Sequence, residues 1–242
     1  QKPKSLTETI NDLDGNVVNF FQVLRDRSDE LIRKLQLTPW ARSEYELCRD
    51  GLADGDDVER ARRLWIACWQ SFSGGPDPAR SASGWRRWTV DDGHRGDALA
   101  WIVLDKIVAR LIDVQIENRD AIKLMKEFDR PDILIYLDPP YTASDRTHSK
   151  QYRHEWTDDQ HTEAADLLRQ STSYVVVSGY ASTLYFDLYE AHGWQRHDVE
   201  AQVNRSDNRV ESLWLSPRTT EALAREANPR QMTLFGANGG GR

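Results

Sequence analysis

The chain has 242 residues, 39% of them hydrophobic, which suffices to bury one substantial core or a core with a small appended domain. The formal net charge of −7 argues against a surface coated in nucleic acid but does not exclude a local basic face. Because the sequence shows no bilayer-spanning apolar run, secretory signal, disulfide framework or metal-ligand spacing, we expect a cytoplasmic protein with reduced thiols and no metal.

The first residues predict one short strand followed by an amphipathic helix. Residues 8–13 are typical of a buried strand that ends in acids, and residues 14–16 predict a turn. Apolar residues from Val17 to Leu35 then recur at helical spacing, and Thr38-Pro39 predicts the end of that helix. We interpret residues 1–38 as the N-terminal part of the protein's core.

Residues 39–112 interrupt this pattern. They predict two helices, at 58–69 and 97–111, separated by a loop rich in Gly, Ser and Arg. We interpret the segment as an inserted helical subdomain.

From residue 113 onward, strands and helices alternate. Strands are predicted at 114–116, 133–137, 174–177, 194–199 and 211–215, and helices at 121–127, 157–168 and 184–189. The continuous apolar run at 133–137 is typical of a parallel sheet covered on both faces, whereas the last strands are expected to form an antiparallel pair. The pattern predicts an α/β fold with a core over 113–225 and a flexible tail over 226–242.

The apolar strand 133–137 runs directly into Asp138-Pro139-Pro140-Tyr141. This places four side chains at the carboxyl edge of the predicted sheet, where α/β proteins bind ligands. An amino group between the Asp138 carboxylate and the Pro139 carbonyl would donate both hydrogens and turn its lone pair out of conjugation, and Tyr141 offers a flat face for a purine. The tetrapeptide therefore predicts a site for an aromatic amine; the alternative is a structural turn made by two prolines.

With this motif at a strand end, the chain resembles the Dam-like adenine-N6 DNA methyltransferases, whose DPPY motif it matches at every position. The helix at 157–168 and the strand ending in Ser178-Gly179-Tyr180 fit the same order. The resemblance implies a Rossmann-like methyltransferase sheet, with residues 39–112 as the target-recognition subdomain. It also implies methyl transfer from S-adenosylmethionine to adenine N6 in double-stranded DNA after base flipping.

The chain departs from the family pattern because the family's Phe-x-Gly-x-Gly motif is absent. We therefore expect a sheet partly truncated at the N-terminus, and an inactive DNA-binding or clamp-binding remnant stays an alternative. Cytosine-N4 transfer, whose enzymes typically carry Ser in the first motif position, is disfavoured by Asp138, and protein-glutamine methylation typically has Asn there. These residues do not decide the recognition sequence, nor a restriction-modification role against a phage or orphan one.

The resemblance also implies cofactor-binding acids. Asp12, at the end of the first strand, matches the acid that binds the ribose hydroxyls of S-adenosylmethionine, and Asp120 matches the acid whose loop contacts the cofactor's adenine. Asp138 would border the same cofactor. Asp12 competes with Asp14 as a helix N-cap, and Asp120 is equally suited to cap the helix at 121–127.

Residues that would contact DNA combine cations with aromatic and amide groups. They are Gln70, Arg80, Trp85, Arg86 and Arg87 in the insert, and Arg146, Lys150 and Arg153 in the loop after the active-site motif. By contrast, Trp65, Trp101 and Trp214 are assigned to the core.

The tail carries a short segment that resembles a partner-binding motif. Gln231-Met232-Thr233-Leu234-Phe235 resembles the pentapeptide by which bacterial proteins dock onto the replication sliding clamp. Chance similarity within a weakly constrained tail is the alternative.

Overall fold

The computed structural model describes residues 4–71, 84–87, 100–141, 154–203 and 207–227. In chain order the elements are β1 (Glu8–Asn11), α1 (Gly15–Asp26), α2 (Ser28–Leu37), α3 (Arg42–Asp50), α4 (Asp57–Trp69), α5 (Ala100–Leu111), β2 (Val114–Glu117), α6 (Ala121–Phe128), β3 (Leu134–Leu137), α7 (Asp158–Gln170), β4 (Tyr174–Gly179), α8 (Thr183–Leu188), β5 (Gln195–Val203), β6 (Asp207–Leu215) and α9 (Pro217–Ala227). The α/β class predicted from the sequence is therefore confirmed.

The chain divides into two compact units. The first contains the described residues up to Ala121 together with His154 and Glu155, and the second contains those from Ile122 onward apart from that pair. Among the described residues, no helix has the length and apolarity to cross a bilayer.

In the first unit, the strands β1 and β2 run parallel, with Glu8 opposite Val114. Helices α1 to α5 share one hydrophobic core, to which each contributes buried side chains such as Leu24, Leu35, Cys48, Ile66 and Leu104. Helices on both sides of residue 38 therefore pack into the same hydrophobic core.

Two features of these helices differ from the sequence prediction. The helix predicted through residue 35 is broken at Arg27, whose φ of −137° lies outside the helical range, and α2 begins at Ser28. Acidic residues in the first turn of α2 favour a fresh start there, because they face the positive helix N-terminus. Helix α3 was not predicted, since only Tyr45 and Cys48 within it are buried and its other residues are mostly charged.

A charged cluster secures α4 to its neighbours. The Glu59 carboxylate accepts hydrogen bonds from Arg62 at 2.7 Å and from Arg63 at 2.9 Å, and Arg62 also donates to Glu44 at 2.7 Å. The Arg62 hydrogen bond, followed by that from Arg63, lowers the pKa of Glu59 to about 2 against partial desolvation. Since the Arg62 side chain is only 10% exposed, this ion-pair cluster is largely shielded from solvent.

The second unit is built on a mixed sheet in the order β3-β4-β6-β5. Strands β3 and β4 are parallel, β6 is antiparallel to β4, and β5 pairs antiparallel with β6. The predicted antiparallel pair at the end of the fold is thus confirmed. The core contains Val175 and Val177 from β4, Ala164 from α7 and the fully buried Trp214 from β6.

Helix α7 begins where the sequence predicts. Thr157 is its N-cap, with the hydroxyl accepting from the Gln160 backbone N–H while the Gln160 side chain accepts from the Thr157 backbone N–H. This reciprocal pair, a capping box, satisfies two backbone donors at the helix start.

Candidate active site

The tetrapeptide Asp138-Pro139-Pro140-Tyr141 follows the last residue of β3. Leu137 is buried and anchors the strand end, whereas Asp138 is exposed. Pro139 is buried, and Pro140 and Tyr141 are half-buried. The corner thus combines a fixed backbone with a carboxylate that solvent and ligands can reach.

The neighbouring strand supplies a hydrogen bond to this carboxylate. Leu137 lies opposite Val177 in the parallel pair β3-β4, so the next residues along, Asp138 and Ser178, are side by side. The Ser178 hydroxyl donates to Asp138 Oδ1 at 2.7 Å and lies 3.4 Å from the Leu137 carbonyl oxygen. Ser178 was not predicted as a site residue. The signal that could have found it is that parallel neighbours end at the same sheet edge.

An aromatic pair stands beside the carboxylate. The rings of Tyr141 and Tyr180 have centroids 4.4 Å apart and planes inclined by 42°. Tyr180 comes two residues after Ser178, and Gly179 between them packs against Tyr185, where a Cβ would lie only 2.8 Å from the ring. Tyr180 was likewise not predicted as a site residue.

In the first unit, Asp12 follows β1 and is exposed. Its Oδ1 accepts the backbone N–H of Asp14 at 2.7 Å, and the Asp14 side chain in turn accepts the Asn16 N–H at 2.9 Å. Asp14 is therefore the N-cap of α1, which leaves the Asp12 carboxylate outside that role. Enclosure by surrounding protein atoms raises the pKa of Asp12, although the residue surface still reaches solvent.

Hydrogen bonds tie the loop of Asp12 to the loop that precedes Asp120. The Asn118 amide donates to the carbonyl oxygens of Asp12 at 2.8 Å and Leu13 at 3.0 Å. The Asn11 side chain donates to the Arg119 carbonyl at 3.0 Å and accepts the Arg119 N–H at 2.9 Å. The two loops that carry the predicted cofactor acids are thus held together at the carboxyl ends of two parallel strands. Neither asparagine was predicted as a site residue.

The structure places Gln70 in the interior. It is 2% exposed; its amide nitrogen donates to the Pro39 carbonyl at 3.2 Å, and its amide oxygen accepts the Trp85 indole N–H at 3.3 Å. The predicted contact between Gln70 and an adenine does not fit this placement, because the amide would have to leave the core and lose both partners.

The segment 84–87 is fastened to the end of α4. Trp85 is half-buried, with the Arg42 guanidinium 5.1 Å from its ring centroid. The Arg86 backbone N–H donates to the Gln70 carbonyl at 2.7 Å. Arg87 is exposed and presents a cation to solvent. The other predicted DNA contacts, Arg80, Arg146, Lys150 and Arg153, and the clamp-like pentapeptide 231–235 lie outside the described residues.

Part of the chain matches a known protein family. Residues 98–205 match the family model described as D12 class N6 adenine-specific DNA methyltransferase. This segment of the chain is therefore similar to the adenine-N6 DNA methyltransferases, as the sequence predicted. The matched segment contains Asp120, the tetrapeptide from Asp138 to Tyr141, and Ser178 to Tyr180, whereas Asp12 precedes it. No curated protein gives a significant match to the sequence.

The match to this family model confirms the activity predicted from the sequence. The enzyme methylates adenine N6 in DNA, so its substrate is DNA and its reaction requires a methyl-donor cofactor. Within the described ranges, no group of His, Cys, Asp and Glu side chains is arranged to hold a metal ion.

Proposed function

We propose that this methyltransferase uses S-adenosylmethionine as its donor and acts on an adenine extruded from double-stranded DNA, with Asp138, Pro139 and Tyr141 contacting the base. The observation that carries the proposal is the accessible Asp138 carboxylate at the carboxyl end of β3, fastened by Ser178 and followed by two prolines. A base inside a duplex cannot reach a carboxylate at a sheet edge, so extrusion is required.

The corner acts on the amine by accepting its hydrogens. In this proposal, the Asp138 carboxylate accepts one N6–H and the Pro139 carbonyl accepts the other. Two fixed acceptors rotate the nitrogen lone pair away from the ring, where it is no longer delocalised and can attack a carbon electrophile. The proton that N6 loses passes along its hydrogen bond to Asp138 and from there to solvent. Tyr141 holds the purine ring by stacking. The rate gain comes from position and electrostatics rather than from a covalent enzyme intermediate.

The acids of the first unit are suited to the donor. A carboxylate at a strand end can accept both hydroxyl hydrogens of a ribose, and Asp12 presents such a group to solvent. The hydrogen bonds of Asn11 and Asn118 fix its loop beside that of Asp120, as a site for one elongated ligand requires. When bound, S-adenosylmethionine supplies a methyl group activated by a sulfonium. Asp12 and Asp120 would hold its adenosine part.

The segment 39–112 is proposed to recognise DNA. Support comes from Arg87, which is exposed in a stretch anchored to α4 through Arg86 and Trp85. An anchored backbone with an exposed guanidinium is suited to a phosphate or a guanine edge. Gln70 has no place in this surface because of its burial.

The proposal is tested with the variant Asp138→Ala and the matched control Asp132→Ala. Asp132 is an exposed aspartate just before the other end of β3, so its removal controls for the loss of one surface carboxylate. Methyl incorporation into unmethylated plasmid DNA is measured with tritiated S-adenosylmethionine, and folding is checked by circular dichroism. Asp138→Ala is expected to lose at least about 100-fold in rate, in the range typical when one electrostatic group is removed from a reacting centre. Asp132→Ala is expected to stay within about twofold of wild type. A folded Asp138→Ala protein with near-normal activity would contradict the proposed role.

A further inference from the structure

The carboxylate and the aromatic ring that the proposed function places against adenine each contact the end of β4. Asp138 accepts the Ser178 hydroxyl, and the ring of Tyr141 packs beside that of Tyr180. Residues two apart on an extended chain face the same side of it. Ser178 and Tyr180 therefore both face the corner formed by Asp138 to Tyr141, whereas Gly179 faces Tyr185. From these contacts we propose that Ser178 and Tyr180 are positioning residues, which fix Asp138 and Tyr141 for the adenine. The inference rests on the proposed function of the corner.

The Ser178 hydroxyl has one hydrogen and can donate one strong hydrogen bond. Two acceptors are within reach, Asp138 Oδ1 at 2.7 Å and the Leu137 carbonyl at 3.4 Å. The carboxylate is both nearer and charged, and hydrogen bonds to charged acceptors are shorter and stronger than neutral ones. The hydroxyl therefore donates to Asp138.

Ser178 is a rigid donor, whereas Asp138 is an exposed acceptor. Ser178 is 9% exposed, and its strand lies between β3 on one side and β6 on the other, where Leu213 is opposite. An exposed aspartate samples several rotamers, and each rotamer other than the reactive one lowers the fraction of competent enzyme. A hydrogen bond from a fixed hydroxyl selects one rotamer before the base arrives. Because Ser178 engages Oδ1, the second oxygen, Oδ2, is the one that we assign to the adenine amine.

Tyr180 contacts Tyr141, the aromatic residue of the proposed adenine site. A stacking platform is effective only if its plane is held, and a ring at a strand terminus needs a neighbour to hold it. Tyr180 lies 4.4 Å from Tyr141, close enough to prevent its rotation toward that side. Tyr180 thus supports one side of the Tyr141 ring, and we assign the other side to the purine.

The Ser178 assignment is tested by three variants assayed on the purified protein with unmethylated plasmid DNA and tritiated S-adenosylmethionine. Ser178→Ala is expected to lower kcat about 10- to 100-fold, the scale of a small misplacement of a reacting group, with KM for plasmid DNA within about twofold. Ser178→Thr keeps the hydroxyl and should restore kcat to within about threefold of wild type. The control is Ser212→Ala, because Ser212 is a buried serine on the adjacent strand that donates to Asp198, also at 2.7 Å. It should leave kcat unchanged.

The outcomes separate this inference from the proposed function. Asp138→Asn is measured on the same DNA, and full activity of that variant would defeat the proposed function itself. An inactive Asp138→Asn together with a folded, fully active Ser178→Ala would defeat only the positioning role. A raised KM at unchanged kcat, or an equal loss in Ser212→Ala, would also overturn it, since either result points to binding or general stability.

Tyr180 is tested by a pair of substitutions. Tyr180→Phe preserves the ring and should retain wild-type kcat, whereas Tyr180→Leu removes the flat surface beside Tyr141 and should lower kcat about tenfold. Thermal unfolding midpoints of both variants are compared to confirm that the fold persists. If Tyr180→Leu is folded and as active as Tyr180→Phe, the support role is refuted.

Discussion

The packing beneath the active-site corner predicts that Gly179→Ala damages both stability and activity. A Cβ at Gly179 would lie 2.8 Å from Tyr185 Cε1 and 3.4 Å from Trp214 Cζ3. Carbon atoms pack best at about 3.5–4.0 Å, so the tyrosine contact requires a displacement of about 0.7 Å. The Tyr185 ring is 1% exposed and is held by Trp214 and Tyr189, with ring centroids at 4.7 and 5.4 Å, so it cannot swing into solvent.

The size of the effect follows from two opposing contributions. Overpacking a filled core destabilises the fold by about 1–3 kcal/mol. Replacing glycine by alanine stabilises it by about 0.4–1 kcal/mol, because alanine lowers the conformational entropy of the unfolded chain. We expect Gly179→Ala to lower the free energy of unfolding by about 1–2 kcal/mol and the unfolding midpoint by about 2–8 °C. Because the displaced residue lies between Ser178 and Tyr180, we also expect kcat to fall at least about tenfold.

Thermal unfolding followed by circular dichroism, together with initial methylation rates, checks this prediction. The control is Gly193→Ala: Gly193 has a φ of +80° and open space around a Cβ, so alanine there costs about 1–2 kcal/mol through backbone conformation alone. Gly193→Ala should therefore lose similar stability and keep its activity below the unfolding transition. An unchanged midpoint in Gly179→Ala, or equal activities in the two variants, would refute the packing argument.

Two further predictions concern elements away from the corner. Glu59→Gln should lower the free energy of unfolding by about 2 kcal/mol near pH 7. The pKa of Glu59, lowered to about 2, corresponds to a somewhat larger stabilisation by its ion pairs, and solvent screening of this partly exposed group reduces that stabilisation. Because the carboxyl pKa is lower in the folded than in the unfolded protein, the ionised Glu59 stabilises the fold at pH values above the unfolded pKa of about 4.5. This stabilisation is lost as the pH falls from about 4.5 toward 2. Urea unfolding of wild type and variant should therefore converge at low pH, and a constant difference would exclude the ion-pair origin. Thr157→Ala should cost about 1 kcal/mol by removing the α7 N-cap, and Thr157→Ser should not; equal unfolding midpoints for the two would contradict the cap assignment.

Local signals in the sequence were sufficient for most elements of the second unit. The apolar run before Asp138 predicts β3, and the Thr157 and Gln160 pair predicts the start of α7, because both signals lie within a few residues of the feature. Helix α3 escaped prediction for the opposite reason. Its buried residues are Tyr45 and Cys48, and Cys48 joins a core formed with other helices, which no local pattern reveals.

The site divides in the same way between local and non-local information. The carboxylate and prolines of the tetrapeptide are contiguous, so their chemistry can be predicted from these four residues alone. Ser178 is 40 residues away, and its role emerges only when β3 and β4 are known to be parallel neighbours in a given register. Gln70 shows the converse case: an amide beside aromatic and cationic residues suggests a base-reading group, whereas its burial is visible only in the folded structure.

The contact between Ser178 and Asp138 also explains why removal of the catalytic carboxylate should leave the fold intact. A buried hydroxyl left without a partner costs about 1–3 kcal/mol, so Asp138→Ala would weaken the sheet if Ser178 had no other acceptor. The Leu137 carbonyl, 3.4 Å from the same hydroxyl, provides a second acceptor after a small rotation about the serine side chain. The exposed carboxylate itself contributes little buried surface. We therefore expect Asp138→Ala to unfold within about 2 °C of wild type while its methylation is lost, so that its loss of activity reports on chemistry; a midpoint lowered by 5 °C or more would show that Ser178 finds no substitute partner.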